Sequence, residues 1–342
     1  MHTVISSNAD NALVEGLWKL HIYGTEELSR NGRVITLPEP AVFKLLFPTE
    51  RVVFNPLRDA NPFFHVMEFV WMMAGRRDSN WISYFNSNME TYAQDGILRG
   101  AYGYRWRTHW NHDQIERIIT QLRNDRSTRQ AVLAMWDASY DSPLHDSKDR
   151  PCNTHIYFRP KPDGSLDMTV CNRSNDLIWG SMGANIVHMT MLHELVASAA
   201  SYVIGTYYVM SNNLHIYPDL VPHYDNIRTR GVPLDHYYMA DVKPVPLLAN
   251  DETYHMLVAD AELLCKGGMK FTTWWMDKIA YPMSRIYHAR KEGLPHVSLL
   301  NRMPQNSDWR LACEEWINRR TKPGVSTDGG GSDEISHVED NT

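Results

Sequence analysis

Residues 150–155 read Arg-Pro-Cys-Asn-Thr-His, and residues 172–180 read Asn-Arg-Ser-Asn-Asp-Leu-Ile-Trp-Gly. The segment between them predicts a β-hairpin, because polar and apolar residues alternate over 154–159 and again over 165–171, with a Pro-Asp-Gly turn between the two runs. One β-ribbon therefore presents Cys152 near the start of its first strand and an Arg-Ser-Asn-Asp cluster just beyond its second. A thiol, a guanidinium, a hydroxyl and a carboxylate are brought close together by short-range structure.

The chemistry of Cys152 has two interpretations at this point. A lone cysteine before a strand is usually a small buried hydrophobic residue. A neighbouring arginine favours the other interpretation, because a fixed positive charge stabilises the nucleophilic thiolate. The residues of the hairpin leave both interpretations open.

The order of the motifs resembles the thymidylate synthase and pyrimidine hydroxymethylase superfamily, in particular its hydroxymethylase-like or phage-type members. Pro-Cys at 151–152, Arg-Ser-Asn-Asp at 173–176, Gly180 and Asn185 carry the resemblance, which covers roughly residues 20–220. It implies a one-carbon transferase that acts at C5 of a pyrimidine nucleoside monophosphate through a cysteine–C6 adduct. The implied co-substrate is the folate 5,10-methylenetetrahydrofolate, and no metal is implied.

The resemblance also implies an α/β (α+β) fold with a large, mostly antiparallel sheet backed by helices in two layers. The implied assembly is a homodimer packed sheet to sheet, with arginines shared across the interface. The backing helices are expected at 61–75 and 185–204, the second ending before Gly205, and strands are expected at 131–136 and 207–213.

Domain organisation follows from the same pattern. We expect one catalytic domain over 1–321, with the recognisable core followed by a helical extension over about 221–321. The Gly/Ser-rich acidic tail, residues 322–342, is predicted to be disordered. Helices in the extension are predicted at 251–266, 275–292 and 307–320.

Composition restricts the partners and the compartment. The chain has 342 residues, 43% of them hydrophobic, and a formal net charge of -6, which argues against a broad basic surface and a stable nucleic-acid partner. Its four cysteines show no close-paired spacing, so we expect neither a zinc site nor a disulfide scaffold. The apolar stretch near 185–204 contains charged and imidazole side chains and predicts a buried helix, so no membrane partner is expected. A cytoplasmic location, in a bacterial cell or a phage-infected host, is the expectation.

Glu68 lies in the middle of the predicted helix at 61–75. Asn61 is a plausible N-cap, and the helix is apolar nearly all round, which indicates burial. A buried carboxylate is costly unless it has a partner, so Glu68 is either a structural hydrogen-bonding group or a functional one. Its spacing to Trp71 and Gly75 matches the family, and the resemblance assigns Glu68 to proton transfer.

The resemblance assigns the phosphate to arginines. Arg30, on a polar turn with Arg33 as a neighbour, matches the arginine that clamps the phosphate, and Arg173 with Ser174 matches the phosphate-binding pair. Guanidinium binds phosphate through a bidentate fork, which makes this assignment physically sound. Arg129 matches an arginine that reaches the partner's phosphate across the dimer, but Gln130 replaces the second arginine of that pair.

The remaining assignments concern the base, the sugar and the folate. Asp176 and Asn185 contact the base, and His215 and Tyr217 hold the sugar 3′-hydroxyl. The same resemblance gives Tyr102 a role in supporting the cysteine. It places Trp81, Arg58 and Gly180 on the folate side. The two histidines at 188 and 193 are five residues apart, and we interpret them as structural.

Three departures from the synthase pattern bear on the product. Asn153 replaces the histidine that usually follows the cysteine, residues 180–185 contain one extra residue and lack the usual Pro-Phe, and a closing C-terminal segment has no match. A less sealed site admits water, which favours a hydroxymethyl product over a methyl product.

An asparagine amide can pair with uracil or, rotated, with cytosine. The resemblance favours dUMP, while dCMP and a ribonucleotide stay open.

Other functions compete with this prediction. Thymidylate synthase activity, with reductive methylation of dUMP, is the first alternative. A non-catalytic nucleotide- or RNA-binding relative would need no thiol, and so fits the intact Cys152 poorly. A cysteine hydrolase that pairs Cys152 with His155 or His215 would leave the arginine-serine cluster unexplained.

Overall fold

The computed structural model describes residues 1–29, 31–142, 149–230 and 235–321. Within these ranges the strands are β1 (His2–Ser6), β2 (Thr25–Ser29), β3 (Gly32–Thr36), β4 (Ala41–Leu45), β5 (Val132–Ala134), β6 (Asn153–Pro160), β7 (Ser165–Asn172), β8 (Asn175–Asp176), β9 (Val203–Ser211) and β10 (Leu214–Ile216). The α-helices are α1 (Ala9–Tyr23), α2 (Pro62–Met73), α3 (Ser79–Ile82), α4 (Asn88–Tyr92), α5 (Tyr102–Arg107), α6 (Gln114–Asn124), α7 (Ala138–Asp141), α8 (Asn185–Ala199), α9 (Val221–Arg230), α10 (His236–Met239), α11 (Tyr254–Cys265), α12 (Tyr281–Lys291) and α13 (Asp308–Thr321). The predicted disordered tail lies outside the described residues.

The described strands form two sheets. The larger one has six strands in the order β1-β4-β9-β7-β6-β5, and the smaller one has four in the order β2-β3-β10-β8. In the larger sheet β1 pairs in parallel with β4 and β7 with β9, whereas the other neighbours are antiparallel. The fold is therefore a mixed α/β fold. The sequence indicated one sheet and did not indicate the smaller one, whose β2–β3 hairpin occupies the segment predicted as a polar turn around Arg30.

The predicted hairpin is confirmed as β6 and β7. Its register pairs Tyr157 with Thr169 and Ile156 with Val170, and it shifts by one residue between Asn153 and His155. A bulge of this kind redirects the chain and ends regular pairing. The shift falls immediately after Cys152, so the cysteine lies where the ribbon opens toward the site.

Helix α2 confirms the predicted buried helix. The Asn61 side chain accepts a hydrogen bond from the backbone N–H of Phe64 at 3.1 Å, which caps the helix as its sequence predicts. All twelve residues of α2 are buried. Helices α11, α12 and α13, close to their predicted bounds, pack against α2; the rings of Phe63 and Trp316, for example, lie 5.1 Å apart. The C-terminal third thus covers the helix that carries Glu68.

The second backing helix differs from its prediction. Helix α8 ends at Ala199, followed by a turn in which Ser201 has φ of 59°. The prediction that this helix extends to residue 204 and ends before a capping Gly205 is therefore wrong, because Gly205 lies inside strand β9. The apolar run continues from helix into strand, and hydrophobicity alone does not separate two consecutive buried elements.

A π-helix over Leu177–Ala184 leads directly into α8. Its Met182 and Gly183 have non-helical backbone angles. A π-turn takes up one more residue than an α-turn does. The segment 180–185, which carries the extra residue, thus follows an irregular helical turn with a kink at Met182 and Gly183, between Asp176 at one end and Asn185 at the other.

No helix of the described ranges is long and apolar enough to cross a membrane.

Helices α2 and α5 pack unusually closely through Gly103. A Cβ atom at this position would lie 2.1 Å from the carbonyl oxygen of Met72. Backbone cannot yield as a flexible side chain can, so we predict that Gly103→Ala lowers the free energy of unfolding by about 3 kcal/mol or more. Urea denaturation followed by circular dichroism measures this change.

Gly293→Ala is the matched control for that prediction. No atom lies within 4 Å of the Cβ position at Gly293, although its φ of 70° is strained for alanine. The expected cost is about 1 kcal/mol. Equal effects of the two substitutions would contradict the close approach of α5 to α2.

Candidate active site

A cavity of about 790 Å³ opens between the smaller sheet, helix α2, the start of α5 and the segment that precedes β6. It brings together most of the residues that the sequence singled out. Those lining it are Glu68, Tyr102, Cys152, Arg173, Ser174, Asp176, Gly180, Asn185, His215 and Tyr217.

Cys152 lies at the wall of this cavity next to Arg173. The Arg173 Nη2 atom is 3.9 Å from the Cys152 Sγ atom. The same guanidinium donates hydrogen bonds to the carbonyl oxygens of Pro151 at 3.1 Å and Arg150 at 3.2 Å. Because these bonds fix the guanidinium beside the half-buried sulfur, the site supplies the positive charge that stabilises a thiolate.

Tyr102, the first residue of α5, lies beside the cysteine. Burial and the neighbouring Cys152 raise the pKa of the Tyr102 hydroxyl, while a hydrogen bond with the backbone of Asn153 opposes this shift. The phenol therefore stays neutral at ordinary pH and can donate a hydrogen bond toward the thiol side of the cavity.

Asp176 caps the π-helix that forms one wall. Its Oδ1 atom accepts hydrogen bonds from the backbone N–H groups of Ile178 at 2.8 Å and Trp179 at 2.5 Å. Its Oδ2 atom has no hydrogen-bond partner among the described residues. Burial raises the pKa of Asp176 to about 6, against the lowering effect of those two hydrogen bonds. Asp176 is therefore a carboxyl group that can hold or release a proton near neutral pH.

The Asn185 amide is placed by Gly180. A Cβ atom on Gly180 would lie 2.4 Å from the Asn175 Oδ1 atom and 3.3 Å from the Asn185 Nδ2 atom. The absence of a side chain at Gly180 therefore lets two amide groups reach the same part of the wall, beside Asp176. An amide offers both donors and an acceptor, which suits recognition of a base edge.

Glu68 meets a histidine from the other backing helix. The His188 Nε2 atom lies 3.5 Å from the Glu68 Oε2 atom and 3.0 Å from the carbonyl oxygen of His65. Burial lowers the pKa of His188 to about 4, so this imidazole is neutral; its Nε2–H donates to the His65 carbonyl oxygen, with the Glu68 carboxylate alongside. Sequence spacing indicated only a structural role for this histidine and missed its position beside Glu68. His193, by contrast, bonds the backbone of Leu166 at 2.6 Å.

His215 and Tyr217 form the opposite rim. The His215 Nδ1 atom lies 2.9 Å from the Asn213 Oδ1 atom, which orients the ring as a donor on that side. The rings of His215 and Tyr217 meet edge to face with centroids 5.7 Å apart. Burial lowers the pKa of His215, so the neutral ring presents an acceptor nitrogen on its other side.

Three of the predicted site residues do not line the described cavity. Trp81 packs against Phe85, with ring centroids 5.1 Å apart, and Arg58 is buried with its guanidinium over the Trp179 ring at 5.2 Å. Arg58 also donates to the carbonyl oxygen of Ile178 and so supports the π-helix. Arg129 is exposed just before β5. Arg30 lies outside the described residues.

Trp81 and Arg58 therefore do not line the described cavity, and their assignment to the folate side stays a prediction. Trp71, Met89, Tyr92 and Trp179 line the cavity instead.

Sequence reasoning also missed two charged residues directly before Pro151. Asp149 accepts a hydrogen bond from the backbone N–H of Gly100 at 2.8 Å, and burial raises its pKa. Arg150 lines the cavity, and its Nε and Nη2 atoms are buried without a hydrogen-bond partner among the described residues. The available signal was their position, because a charged pair directly precedes the Pro-Cys motif. In the described part of the chain no group of three or more His, Cys, Asp or Glu residues could hold a metal ion.

Comparison with known proteins identifies the family of the chain. Residues 57–237 match the family model described as thymidylate synthase. A deoxyuridylate hydroxymethyltransferase of Pseudomonas phage M6 is 38% identical over 339 residues, which cover 94% of this chain and 95% of the phage protein. The chain therefore belongs to the thymidylate synthase family, and the family resemblance predicted from its motifs is confirmed.

Two further relatives show the breadth of that family. A deoxyuridylate hydroxymethyltransferase of Bacillus phage SP01 is 35% identical over 204 residues, covering 56% of this chain and 53% of that protein. A thymidylate synthase of Symbiobacterium thermophilum is 27% identical over 237 residues, covering 64% of this chain and 77% of that protein. These relatives are enzymes, and the chain is an enzyme of the same family.

The raised pKa of Asp176 predicts a pH-dependent stability. The folded protein binds this proton more tightly than the unfolded chain, whose carboxyl has a pKa near 3.8. Asp176 therefore makes the free energy of unfolding fall as the pH rises from about 4 to about 6. Asp176→Asn should remove that component, so the variant's stability should decline less over this window, as measured by urea denaturation at several pH values.

Asp163→Asn serves as the control. The hydroxyl and backbone N–H of Ser165 lower the pKa of Asp163, so removal of this carboxylate should change the pH dependence in the opposite direction. Identical pH profiles for wild type and Asp176→Asn would show that Asp176 ionises normally in the folded protein.

Proposed function

We propose that this protein transfers a one-carbon unit from 5,10-methylenetetrahydrofolate to C5 of dUMP and releases the 5-hydroxymethyl nucleotide. The observation that carries the proposal is the Cys152 thiol held beside the Arg173 guanidinium, in a cavity that Asp176 and Asn185 also line. The names of the two phage relatives support dUMP as substrate and hydroxymethyl transfer as reaction. Nothing in the described site requires a metal for this chemistry.

The reaction needs C5 to act as a nucleophile, which it does poorly in a free pyrimidine. Attack of the Cys152 thiolate on C6 forms an S–C bond and moves the C5–C6 electron pair toward C5 and O4. C5 then attacks the electrophilic methylene of the folate and afterwards loses its proton. Departure of tetrahydrofolate leaves an exocyclic methylene, and addition of water with loss of the thiolate gives the hydroxymethyl product. The sum consumes one water and needs neither an oxidant nor a reductant.

Each wall of the cavity then has a task. Arg173 and Ser174 hold the phosphate, and His215 with Tyr217 holds the sugar hydroxyl. Asn185 and Asp176 read the base and polarise O4, the position at which negative charge develops. These contacts orient C6 toward the sulfur.

Glu68, with neutral His188 beside it, moves protons at the far edge of the base. Tyr102 supports the cysteine, and Gly180 keeps the folate side of the wall open.

Water addition rather than hydride transfer is favoured by the local structure. The Asn153 side chain is buried and donates to the carbonyl oxygen of Cys171 at 3.1 Å, so it does not project beside the nucleophile as a longer ring would. The π-helix gives residues 180–185 a different course from a plain helical turn. Thymidylate synthase activity is the second candidate, because a thymidylate synthase is among the relatives.

The assembly is proposed to be a homodimer packed through the larger sheet. The register places Ile5, Lys44, Tyr208, Thr169, Tyr157 and Val132 in one row across all six strands, and we call this the sheet row. Its members point away from the core, and Ile5, Tyr157 and Val132 are exposed in one chain. A row with exposed apolar members on a continuous sheet is a surface that a second copy can cover.

The dimer would also give Arg129 its role. This exposed arginine precedes β5, the edge strand of the larger sheet, and a partner packed on the sheet row would lie within its reach. We further infer that residues 1–321 act as one catalytic domain, because the C-terminal helices cover α2.

Cys152→Ala should abolish turnover, since no other thiol lines the described cavity. Mass spectrometry of products from dUMP, and separately from dCMP, with methylenetetrahydrofolate measures this. Wild type should add one CH₂O unit to dUMP; addition of one CH₂ unit with formation of dihydrofolate would establish thymidylate synthase activity instead. Nucleotide binding by the variant should survive, as measured by calorimetry.

Cys171→Ala is the matched control, because Cys171 is half-buried on β7 and burial raises its pKa. Release of tritium from 5-tritiated dUMP follows both variants. Turnover retained by Cys152→Ala would overturn the covalent mechanism.

Tyr157→Asp should weaken self-association by about 100-fold or more, because a carboxylate would be buried in the middle of the sheet row. Sedimentation velocity over a concentration series measures the oligomeric state. Tyr238→Asp is the control, since Tyr238 is 85% exposed on α10. A wild-type protein that sediments as a monomer would refute the dimer.

A further inference from the structure

Arg150 is a charged residue at the cavity wall that the proposed reaction has not used. Its Nε and Nη2 atoms are buried and have no hydrogen-bond partner among the described residues. Buried N–H groups without an acceptor are costly, because these two nitrogens have lost hydration without gaining a hydrogen bond. The described part of the chain leaves this charge uncompensated at the edge of a ligand-sized cavity.

The adjacent carboxyl group does not compensate for it. The Asp149 Oδ2 atom accepts a hydrogen bond from the backbone N–H of Gly100 at 2.8 Å. Among charged groups, Arg105 has the largest effect on the pKa of Asp149. No ion pair joins Arg150 to any acidic residue within the described ranges. A ligand in the cavity can supply the acceptor that the described residues do not.

Arg150 also adjoins the guanidinium assigned to the phosphate. The Arg173 Nη2 atom donates to the Arg150 carbonyl oxygen at 3.2 Å, so the two arginines are tied together through the backbone. Arg173 already directs its donors to two carbonyl oxygens and the sulfur. A phosphate dianion has three terminal oxygens that each accept hydrogen bonds, so Arg173 and Ser174 leave room for a further donor.

We propose that Arg150 binds the phosphate of the nucleotide substrate together with Arg173. Rotation of the long side chain brings its fork onto the phosphate oxygens, and the uncompensated charge gains its counter-ion. The inference rests on the proposed function to the extent that the ligand is a nucleoside monophosphate. A folate carboxylate is the other anion in this chemistry, and the experiment below separates the two sources.

The test measures binding without chemistry. Calorimetry on the full-length protein compares dUMP, deoxyuridine and a folate, each alone, for wild type, Arg150→Met and Arg150→Lys. Arg150→Met should weaken dUMP binding by roughly 10- to 100-fold while deoxyuridine binding changes by less than about twofold. Arg150→Lys should retain part of the affinity, because lysine keeps the charge but not the fork. Arg117→Met, at an exposed position on α6, is the control and should match wild type.

Three results would overturn the proposal. Unchanged dUMP affinity in Arg150→Met, an equal loss for dUMP and deoxyuridine, or a loss confined to the folate would each exclude a phosphate contact. Thermal melts report whether each variant folds; if Arg150→Met does not, a loss of about 3- to 10-fold in Arg150→Lys for dUMP alone is the deciding result. Tritium release by wild type is measured separately. Phosphate-dependent binding without turnover would count against the proposed reaction and leave the role of Arg150 standing.

Discussion

The hydrogen bonds from the Arg173 guanidinium to the backbone before Cys152 are the interaction on which the site depends. Arg173 follows β7, and its side chain crosses back over the hairpin to the carbonyl oxygens of Pro151 and Arg150. The backbone N–H of Arg173 also donates to the Cys152 carbonyl oxygen at 2.9 Å. These hydrogen bonds hold together two segments about twenty residues apart. The backbone geometry of these segments therefore places the sulfur beside a positive charge.

The opposite wall depends on burial. Helix α2 is enclosed by α8 and by the C-terminal helices, which leaves Glu68 little access to solvent and makes the neutral His188 its neighbour. The electrostatic energy of a carboxylate in such surroundings depends strongly on which charges and hydrogen-bonding groups lie beside it. The C-terminal helices therefore support the site without lining the described cavity, because they pack against the helix that carries Glu68.

Local pattern predicted the site well where the determining contacts are short-range. The hairpin follows from alternation and a turn, and the cap at Asn61 follows from residue type. These features need no knowledge of distant contacts. The family motifs added Asn185 and His215, which only the tertiary fold brings near Cys152.

The failures share a physical cause. Trp81 and Arg58 lie off the described cavity because they pack against Phe85 and Trp179, and their folate-side assignment stays a prediction. The end of α8 was misplaced because buried helix and buried strand have the same hydrophobicity. His188 was undervalued because its importance comes from α2, more than a hundred residues away. The π-helix has a consequence of another kind: it can take up an additional residue between two residues that are held in place by other contacts. Asp176 anchors one end and Asn185 begins α8 at the other, so an insertion here leaves both in place while altering the count between them. An alignment that kept a rigid spacing between these two residues would therefore misplace one of them by one position.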